Sequence, residues 1–156
     1  MNGNVLVYSF PEGKQLSHVT CPGGLFDVRV NKSTGRELFV CRYTDKGIVR
    51  VINLKDNSSL TLEAHKNTQI SLIKINNDAT MFAIVCQEGK YINLFDATVV
   101  AGEKPALVHQ FYRGKNSAVV TSISFSKSNS ILAVASSSGT VHIFDLRNPS
   151  NNPKST

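Results

Sequence analysis

Four polar side chains in the last third of the chain have the types and the spacing that suit an anion. Arg113 lies in the segment Phe111-Tyr-Arg-Gly114, and Ser136, Thr140 and His142 follow further along the chain. Because alternate residues of a β-strand share a face, we expect Thr140 and His142 to point the same way. A guanidinium donates two parallel charge-assisted bonds to a phosphate, and hydroxyls and an imidazole add donors. These residues therefore predict a phosphate-binding site anchored by Arg113.

Two neighbours of Arg113 extend this candidate site. Gly114 is expected to let the backbone turn at the edge of a sheet, and Lys115 adds positive charge. The structural alternative is that the hydroxyls belong to an ordinary tight turn and that His142 is a plain strand residue. Polar side chains near the ends of strands also form internal hydrogen-bond networks. The residues alone leave both interpretations open.

An internal repeat defines the elements that must position these residues. Four segments share one pattern, namely Val5-Leu-Val-Tyr8, Val49-Arg-Val-Ile52, Ile92-Asn-Leu-Phe95 and Val141-His-Ile-Phe144. They recur at intervals of about 40–50 residues, which is the spacing of propeller blades, each a four-stranded antiparallel sheet. We interpret each segment as the third strand of a blade.

The sequence between these segments supplies the other strands of each blade. First strands are predicted at Leu25–Val30, Ile70–Ile75 and Val119–Phe125, second strands at Leu38–Tyr43, Met81–Gln87 and Ile131–Ser136, and outer strands at Gln15–Thr20, Ser59–Glu63 and Leu107–Phe111. A turn containing Gly47, Gly89 or Gly139 leads into the third strand, because glycine accepts the positive φ of tight turns. Helical periodicity is almost absent, so the predicted fold class is an all-β, WD-type β-propeller.

The strand count predicts roughly three blade equivalents, whereas closed propellers have at least about four blades and commonly seven. The predicted content is the last two strands of one blade, two full blades and the first three strands of another. We therefore expect residues 1–149 to form part of a seven-bladed ring and residues 150–156 to be the disordered start of a loop.

Composition narrows the classes of partner. There are 17 Lys and Arg against 11 Asp and Glu, and a net charge of +6 suits an anionic partner. No apolar run approaches the roughly 18 residues of a membrane span, and the first residues lack the pattern of a signal peptide, so a cytoplasmic protein is expected. Three cysteines and four scattered histidines show no metal-ligand spacing, so neither a metal nor a cofactor is expected.

Catalysis and nucleic-acid binding find little support in the residues. The chain has no Ser/His/Asp elbow, no Cys/His pair in register, no phosphate-binding glycine loop and no carboxylate pair. Asp96 and Asp145 end third strands and are interpreted as turn residues. Basic residues are dispersed and are not interleaved with aromatic residues, so no nucleic-acid partner is expected. These observations favour a binding protein over an enzyme.

Five short motifs carry a resemblance to a known family. They are Ala64-His65 at the start of a blade, Asn76-Asn-Asp-Ala-Thr80 in a turn, Gln87-Glu-Gly89 before a third strand, Phe111-Tyr-Arg-Gly114 and Gly139-Thr-Val-His-Ile-Phe144. Through them the run from Val5 to Pro149 resembles the PROPPIN family of phosphoinositide-binding autophagy propellers. The resemblance implies a scaffold recruited to membranes that contain phosphatidylinositol 3-phosphate or 3,5-bisphosphate. It also implies a peripheral location on autophagic precursor or endosomal membranes and autophagy proteins, a lipid-transfer protein among them, as partners.

The resemblance implies two headgroup pockets, each anchored by one arginine of a Phe-Arg-Arg-Gly motif. In this chain Tyr112 replaces the first arginine, and the supporting Ser, Thr and Arg of that pocket correspond to Cys86, Lys90 and Asn93. A lysine is at best a point charge in place of a guanidinium fork. The resemblance therefore implies that the first pocket is degraded.

The second pocket retains its implied anchor, Arg113, together with the hydroxyls and the imidazole of the next blade. One functional pocket rather than two is thus expected. The family's membrane-inserting loop would begin near Pro149. Because Tyr112 departs from the two-site pattern, a protein-interaction propeller that has lost lipid binding is the alternative.

Overall fold

A computed structural model describes residues 2–98 and 103–152 of the chain. The strands in these ranges are rich in Val, Ile and Phe, residues that suit a pleated, half-buried surface. They are β1 (Asn2–Tyr8), β2 (Gln15–Pro22), β3 (Phe26–Asn31), β4 (Arg36–Arg42), β5 (Ile48–Asn53), β6 (Ser59–Glu63), β7 (Ile70–Ile75), β8 (Met81–Cys86), β9 (Tyr91–Asp96), β10 (Ala106–Tyr112), β11 (Val120–Phe125), β12 (Ile131–Ser136) and β13 (Val141–Asp145).

The strands form four sheets in which each strand pairs with its neighbour in the sequence. We call them the two-stranded sheet (β1-β2), the first four-stranded blade (β3-β4-β5-β6), the second four-stranded blade (β7-β8-β9-β10) and the three-stranded blade (β11-β12-β13). All pairings are antiparallel. This repeated meander confirms the predicted all-β, WD-type propeller architecture.

The apolar core lies between successive sheets. The second strands β4 and β8 are buried most completely, because both of their faces are covered, and in β8 every residue from Phe82 to Cys86 is buried. The second strand β12 is fully buried only at alternate residues. The outer strand β10 is largely exposed, with Phe111 as its buried residue. One core cluster joins the first and second four-stranded blades, and another joins the second to the three-stranded blade. The stacking of sheets thus fixes where each strand end lies.

A chain of asparagine side chains links the turns between first and second strands of successive blades. Asn31 donates from Nδ2 to the carbonyl of Asn77 at 2.9 Å, and Asn77 donates from Nδ2 to the carbonyl of Ser126 at 2.9 Å. The backbone N–H of Asn77 also donates to Oδ1 of Asn129 at 3.2 Å. These bonds hold three consecutive blades in register at this end of the strands.

The segment beyond β13 was expected to be disordered over residues 150–156. Of this segment the structure describes residues 150–152, and Pro149–Asn151 form a short 3-10 turn. The side chain of Asn152 accepts from the N–H of Asp145 at 2.9 Å and donates to its carbonyl at 2.8 Å. Residues 153–156 lie outside the described residues. Across residues 2–98 and 103–152, no helix has the length and apolar character needed to cross a bilayer.

The Asn77→Ala variant tests the asparagine links. It leaves the partly buried carbonyl of Ser126 without its side-chain donor, so we expect the free energy of unfolding to fall by about 1–3 kcal/mol. Urea denaturation measures this loss. Asn148→Ala, which truncates an exposed asparagine, is the matched control, and equal losses in the two variants would contradict the assigned role.

Candidate functional site

Arg113 directly follows the outer strand β10, and its side chain is held against the second four-stranded blade. Its backbone N–H donates to the carbonyl of Lys90 at 2.8 Å. Its guanidinium donates from Nε to the carbonyl of Gly89 and from Nη2 to the carbonyl of Asn116. The residue is only 7% exposed. Two fixed carbonyl groups therefore set the orientation of the guanidinium before any ligand arrives.

Three hydroxyls and an imidazole are brought together by the turn from β12 to β13. The Oγ of Ser136 lies 2.8 Å from that of Ser138 and 3.0 Å from Oγ1 of Thr140, and Ser138 and Thr140 are also 3.0 Å apart. Oγ1 of Thr140 lies 3.3 Å from Nε2 of His142. Gly139, with φ +75°, closes the turn. We call Ser136, Ser138, Thr140 and His142 the hydroxyl–imidazole cluster.

Arg113 and the hydroxyl–imidazole cluster act on one another electrostatically. Partial burial lowers the pKa of His142, and the positive charge of Arg113 lowers it further. The imidazole is therefore neutral at physiological pH, where it offers a donor on one nitrogen and an acceptor on the other. The two halves of the predicted site thus lie within electrostatic reach of each other.

The geometry leaves part of the guanidinium available to a ligand. Among the described residues, no carboxylate forms an ion pair with Arg113, and its Nη1 has no hydrogen-bond partner and is not buried. The carbonyl bonds occupy Nε and Nη2 instead. An anion between Nη1 and the hydroxyl–imidazole cluster would receive charge-assisted bonds from the first and neutral donors from the second.

The two residues that follow Arg113 can each be compared with the role that the sequence predicted for them. Lys115 is exposed, and no ion pair involves it within the described residues. The expectation that Gly114 supplies the turn by its conformational freedom is wrong, because its φ is not in the left-handed region and a Cβ there would meet nothing within 4 Å. The turn is instead held by backbone bonds from Arg113 to Lys90 and from Ala118 to Glu88.

The residues of the implied first pocket are occupied by contacts within the blade. The Tyr112 ring packs on that of Tyr91 with centroids 5.4 Å apart. Asn93 is buried, donates to the carbonyl of Ala64 at 2.7 Å and accepts from Gln110 at 2.9 Å. The amide at position 93 therefore closes a local network between adjacent blades.

The remaining two residues of the implied first pocket are Lys90, which forms an ion pair, and Cys86, which is buried. Lys90 pairs with Glu88 at 3.1 Å, and both side chains keep partial contact with solvent. Cys86 is a buried thiol at the end of β8. No guanidinium replaces the missing arginine among these residues, so this side lacks a bidentate anion donor.

Asp96 and Asp145 serve turns, as their positions at third-strand ends predicted. Oδ1 of Asp96 accepts from the N–H of Thr98 at 2.7 Å, and Oδ1 of Asp145 accepts from that of Arg147 at 2.9 Å. In the described part of the chain, no group of three or more His, Cys, Asp and Glu side chains is placed to hold a metal ion.

Sequence reasoning missed three groups that shape the site. Ser138 completes the hydroxyl cluster, and its signal was the run Ser136-Ser-Ser, in which every residue carries a hydroxyl. Asn116 contributes only its backbone carbonyl, and because every residue has one, the sequence carries no signal for this role. Gly89 was expected as a turn residue, yet its carbonyl also anchors Arg113. Its Cα packs so closely that an added Cβ would lie 2.1 Å from the carbonyl oxygen of Ala118.

Four-stranded meanders stacked face to face, with polar residues where strands end, define this molecule as a WD-type β-propeller protein. A family model described as the WD40 repeat of BCAS3 matches residues 27–149. The chain therefore belongs to this family of WD40-repeat propellers. The resemblance to the PROPPIN family is confirmed by the relatives that follow.

Autophagy-related protein 18 of Kluyveromyces marxianus is 42% identical over 101 residues, which are 64% of this chain and 18% of that protein. The structure of Hsv2 from Kluyveromyces marxianus is similar with a TM-score of 0.73 and 25% identity, covering 91% of this chain and 43% of that one. KlAtg21, solved in complex with the coiled-coil of AgAtg16, has a TM-score of 0.76 at 20% identity over 92% of this chain and 47% of that one. The chain thus spans about a fifth of the Kluyveromyces marxianus relative, 18% of its length.

Gly89→Ala tests how the site is positioned. The new methyl would strike the carbonyl of Ala118 and strain a residue at φ +62°, so we expect the loop that carries Arg113 to shift away from the blade. Amide hydrogen exchange of residues 113–118 measures the change and should become faster. Gly35→Ala is the matched control, because Gly35 has φ +64° with nothing within 4 Å of its Cβ position. Unchanged exchange in Gly89→Ala, or the same change in both variants, would contradict this role.

Proposed function

We propose that this propeller binds the headgroup of phosphatidylinositol 3-phosphate or 3,5-bisphosphate and acts as a membrane-recruited scaffold in autophagy. The observation that carries the proposal is the oriented guanidinium of Arg113 beside the hydroxyl–imidazole cluster. The site lies between the second four-stranded blade and the three-stranded blade. The groups that meet there are a guanidinium, hydroxyls and a neutral imidazole, which are donors suited to an anion, and we propose binding without catalysis.

The chemistry of a phosphate monoester matches these donors. Such a group carries about −1.5 to −2 charges at pH 7 and presents three acceptor oxygens. The Nη1 of Arg113 supplies the charged bond, and hydroxyls of Ser136 and Thr140 together with His142 supply neutral ones. Because two carbonyls already hold the guanidinium, ligand binding freezes little additional side-chain motion, which lowers the entropic cost of association.

A single pocket limits how tightly the propeller stays on a membrane. Two pockets on one rigid rim exceed the affinity of either by roughly 10²–10⁴, provided both engage at once. Here the first pocket holds Tyr112, whose ring packs at a tilt against that of Tyr91, and Asn93, which is hydrogen-bonded within the protein. We propose that recruitment rests on the Arg113 pocket together with interactions beyond this chain.

The proposed location and partners follow from the family. Relatives named as autophagy-related proteins support a peripheral place on autophagic precursor or endosomal membranes, reached from the cytoplasm. The complex of KlAtg21 with the coiled-coil of AgAtg16 supports autophagy proteins as partners of this propeller too. A lipid-transfer protein remains the partner that we propose first.

A second candidate function is a protein-interaction propeller without lipid binding. The observation that favours it is the first-pocket side of the second four-stranded blade, where Tyr112 and Asn93 make internal contacts. A chain with one degraded lipid pocket has already lost the avidity of two pockets, so loss of the second pocket would reduce its membrane affinity by a smaller step. The behaviour of Arg113 variants decides between the two functions.

Arg113→Gln tests the lipid function. Losing a charge-assisted bond costs about 1.5–3 kcal/mol, so binding of soluble inositol 1,3-bisphosphate should weaken about 10- to 100-fold by calorimetry. Flotation with vesicles containing phosphatidylinositol 3-phosphate should fall in parallel. Arg147→Gln is the matched control, since Arg147 is 68% exposed and pairs only with Asp145 within the described residues.

Because Arg113 also braces its own loop, Thr140→Val is needed as a second variant. It removes a hydroxyl of the cluster and leaves the carbonyl bonds of the guanidinium intact. We expect weaker headgroup binding with an unchanged melting temperature. Unaltered headgroup binding and recruitment in both Arg113→Gln and Thr140→Val would favour the protein-interaction function.

The pH dependence of binding tests the role of His142. Burial and the charge of Arg113 lower the pKa of His142 below its ordinary value, so the imidazole of the free site is neutral at pH 7. A bound phosphate favours the imidazolium and raises that pKa, so binding takes up a proton and the His142 contribution grows as pH falls. The affinity ratio of the wild-type chain to His142→Gln should therefore increase from pH 7.5 to pH 5.5. The ratio cancels titration of the ligand itself, and a flat ratio would remove His142 from the site.

A further inference from the structure

A second polar cleft opens between the two-stranded sheet and the first four-stranded blade. The site just described lies elsewhere, between the second four-stranded blade and the three-stranded blade. It has a volume of about 380 Å³ and follows β2 along its length. Its other wall is formed by β5, β6 and the turn between them, through Arg50, Ile52, Asn57 and Ser59. The cleft is large enough for a phosphorylated polyol, since small-molecule sites start at about 300 Å³.

Arg50 reaches this cleft because of its place in the repeat. In the third strands it occupies the position that His142 has in the three-stranded blade, as Val49-Arg-Val-Ile52 and Val141-His-Ile-Phe144 show. Alternation along β5 buries Val49 and Val51 and leaves Arg50 half-buried. The repeat therefore places an ionisable donor against the outer strand of the preceding sheet in both blades.

The guanidinium of Arg50 has one neutral partner in the cleft. It donates from Nη2 to Oγ of Ser59 at 3.0 Å. No carboxylate lies within 4.0 Å of it in residues 2–98 and 103–152. Its Nε and Nη1 make no hydrogen bond to those residues either. Most of the donor fork is thus available to an anion.

Further donors stand on both sides of Arg50. The buried hydroxyl of Ser17 donates to Oδ1 of Asn57 at 2.9 Å, which leaves Nδ2 of Asn57 as the free end of the amide. The Ser59 hydroxyl accepts from Arg50 and keeps its own proton to donate. Thr20 adds a hydroxyl to the wall formed by β2.

The residues that line the cleft include no acidic side chain. The nearest acid in the sequence, Asp56, turns its Oδ1 to the N–H of Ser58 at 2.9 Å, and these bonds lower the pKa of Asp56. The cleft therefore combines a cation with hydroxyl and amide donors, and its wall has no carboxylate. Such a site suits an oxyanion with several acceptor oxygens.

We propose that this cleft is a second anion site, which binds a phosphate monoester through Arg50, Asn57 and Ser59. The proposal is independent of the Arg113 pocket, because the two sites share no residue and lie on different blades. At the position equivalent to Arg50 in the second four-stranded blade, Asn93 uses both ends of its amide in hydrogen bonds to Ala64 and Gln110.

The test uses the 156-residue chain, labelled with ¹⁵N and titrated with inorganic phosphate and then with glycerol 3-phosphate. We expect saturable shifts of the Asn57 side-chain amide and of the backbone N–H groups from residues 57 to 59. Arg50→Gln should weaken phosphate binding at these reporters about 10- to 100-fold, the effect of removing charge-assisted bonds. Arg113→Gln should leave these shifts unchanged even if it abolishes headgroup binding.

Two further arms make the outcome decisive. Arg50→Lys keeps the charge without the fork and should bind with intermediate affinity, while Ser59→Ala removes one donor without disturbing the guanidinium's charge. Vesicles of phosphatidylcholine with phosphatidylinositol 3-phosphate, compared with glycerol 3-phosphate, distinguish a lipid headgroup from a soluble ester as the source. Absence of saturable shifts at residues 57–59, or equal shifts in wild-type and a folded Arg50→Gln chain, would overturn the proposal.

Discussion

The bonds from the Arg113 guanidinium to the carbonyls of Gly89 and Asn116 are the constraint on which the rest of the site depends. A buried cation is costly unless its donors are met, and carbonyl oxygens meet them without cancelling the charge. A carboxylate in the same place would have neutralised the site. The protein thus keeps a positive charge near a blade surface, oriented and partly desolvated. The hydroxyls beside it bond only to one another and to His142 among the described residues.

The stacked blades make this arrangement possible. Gly89 belongs to the second four-stranded blade, whereas the hydroxyl–imidazole cluster belongs to the three-stranded blade, and the apolar cluster around Phe111 and Phe144 fixes the distance between them. The asparagine links at the first turns hold the opposite ends of the strands. The packing of the blades therefore determines which side chains meet at the gap between them. The same gap recurs in each repeat with different side chains.

Most of the fold could be predicted from the sequence because the repeat and the two-residue alternation are both local signals. The strands β7 and β12 were placed at their observed bounds, and the turn glycines were expected. The site could be predicted only in part. The binding chemistry of side chains such as Arg113 and Thr140 can be predicted from their residue types. The roles of the Asn116 carbonyl and of Gly89 could not be predicted, because they depend on close packing of distant segments. The expectation for Gly114 was wrong because backbone hydrogen bonds, and no unusual φ, form that turn.

The most direct measurement of the central claim is the NMR signal of the Arg113 side chain during titration with a short-chain phosphatidylinositol 3-phosphate. The account predicts that the Nε–H resonance of Arg113 stays protected throughout, because its carbonyl bond persists, while the Nη protons and the His142 ring shift together and saturate. Shifts confined to other residues, with the Arg113 and His142 signals unmoved at saturation, would contradict it.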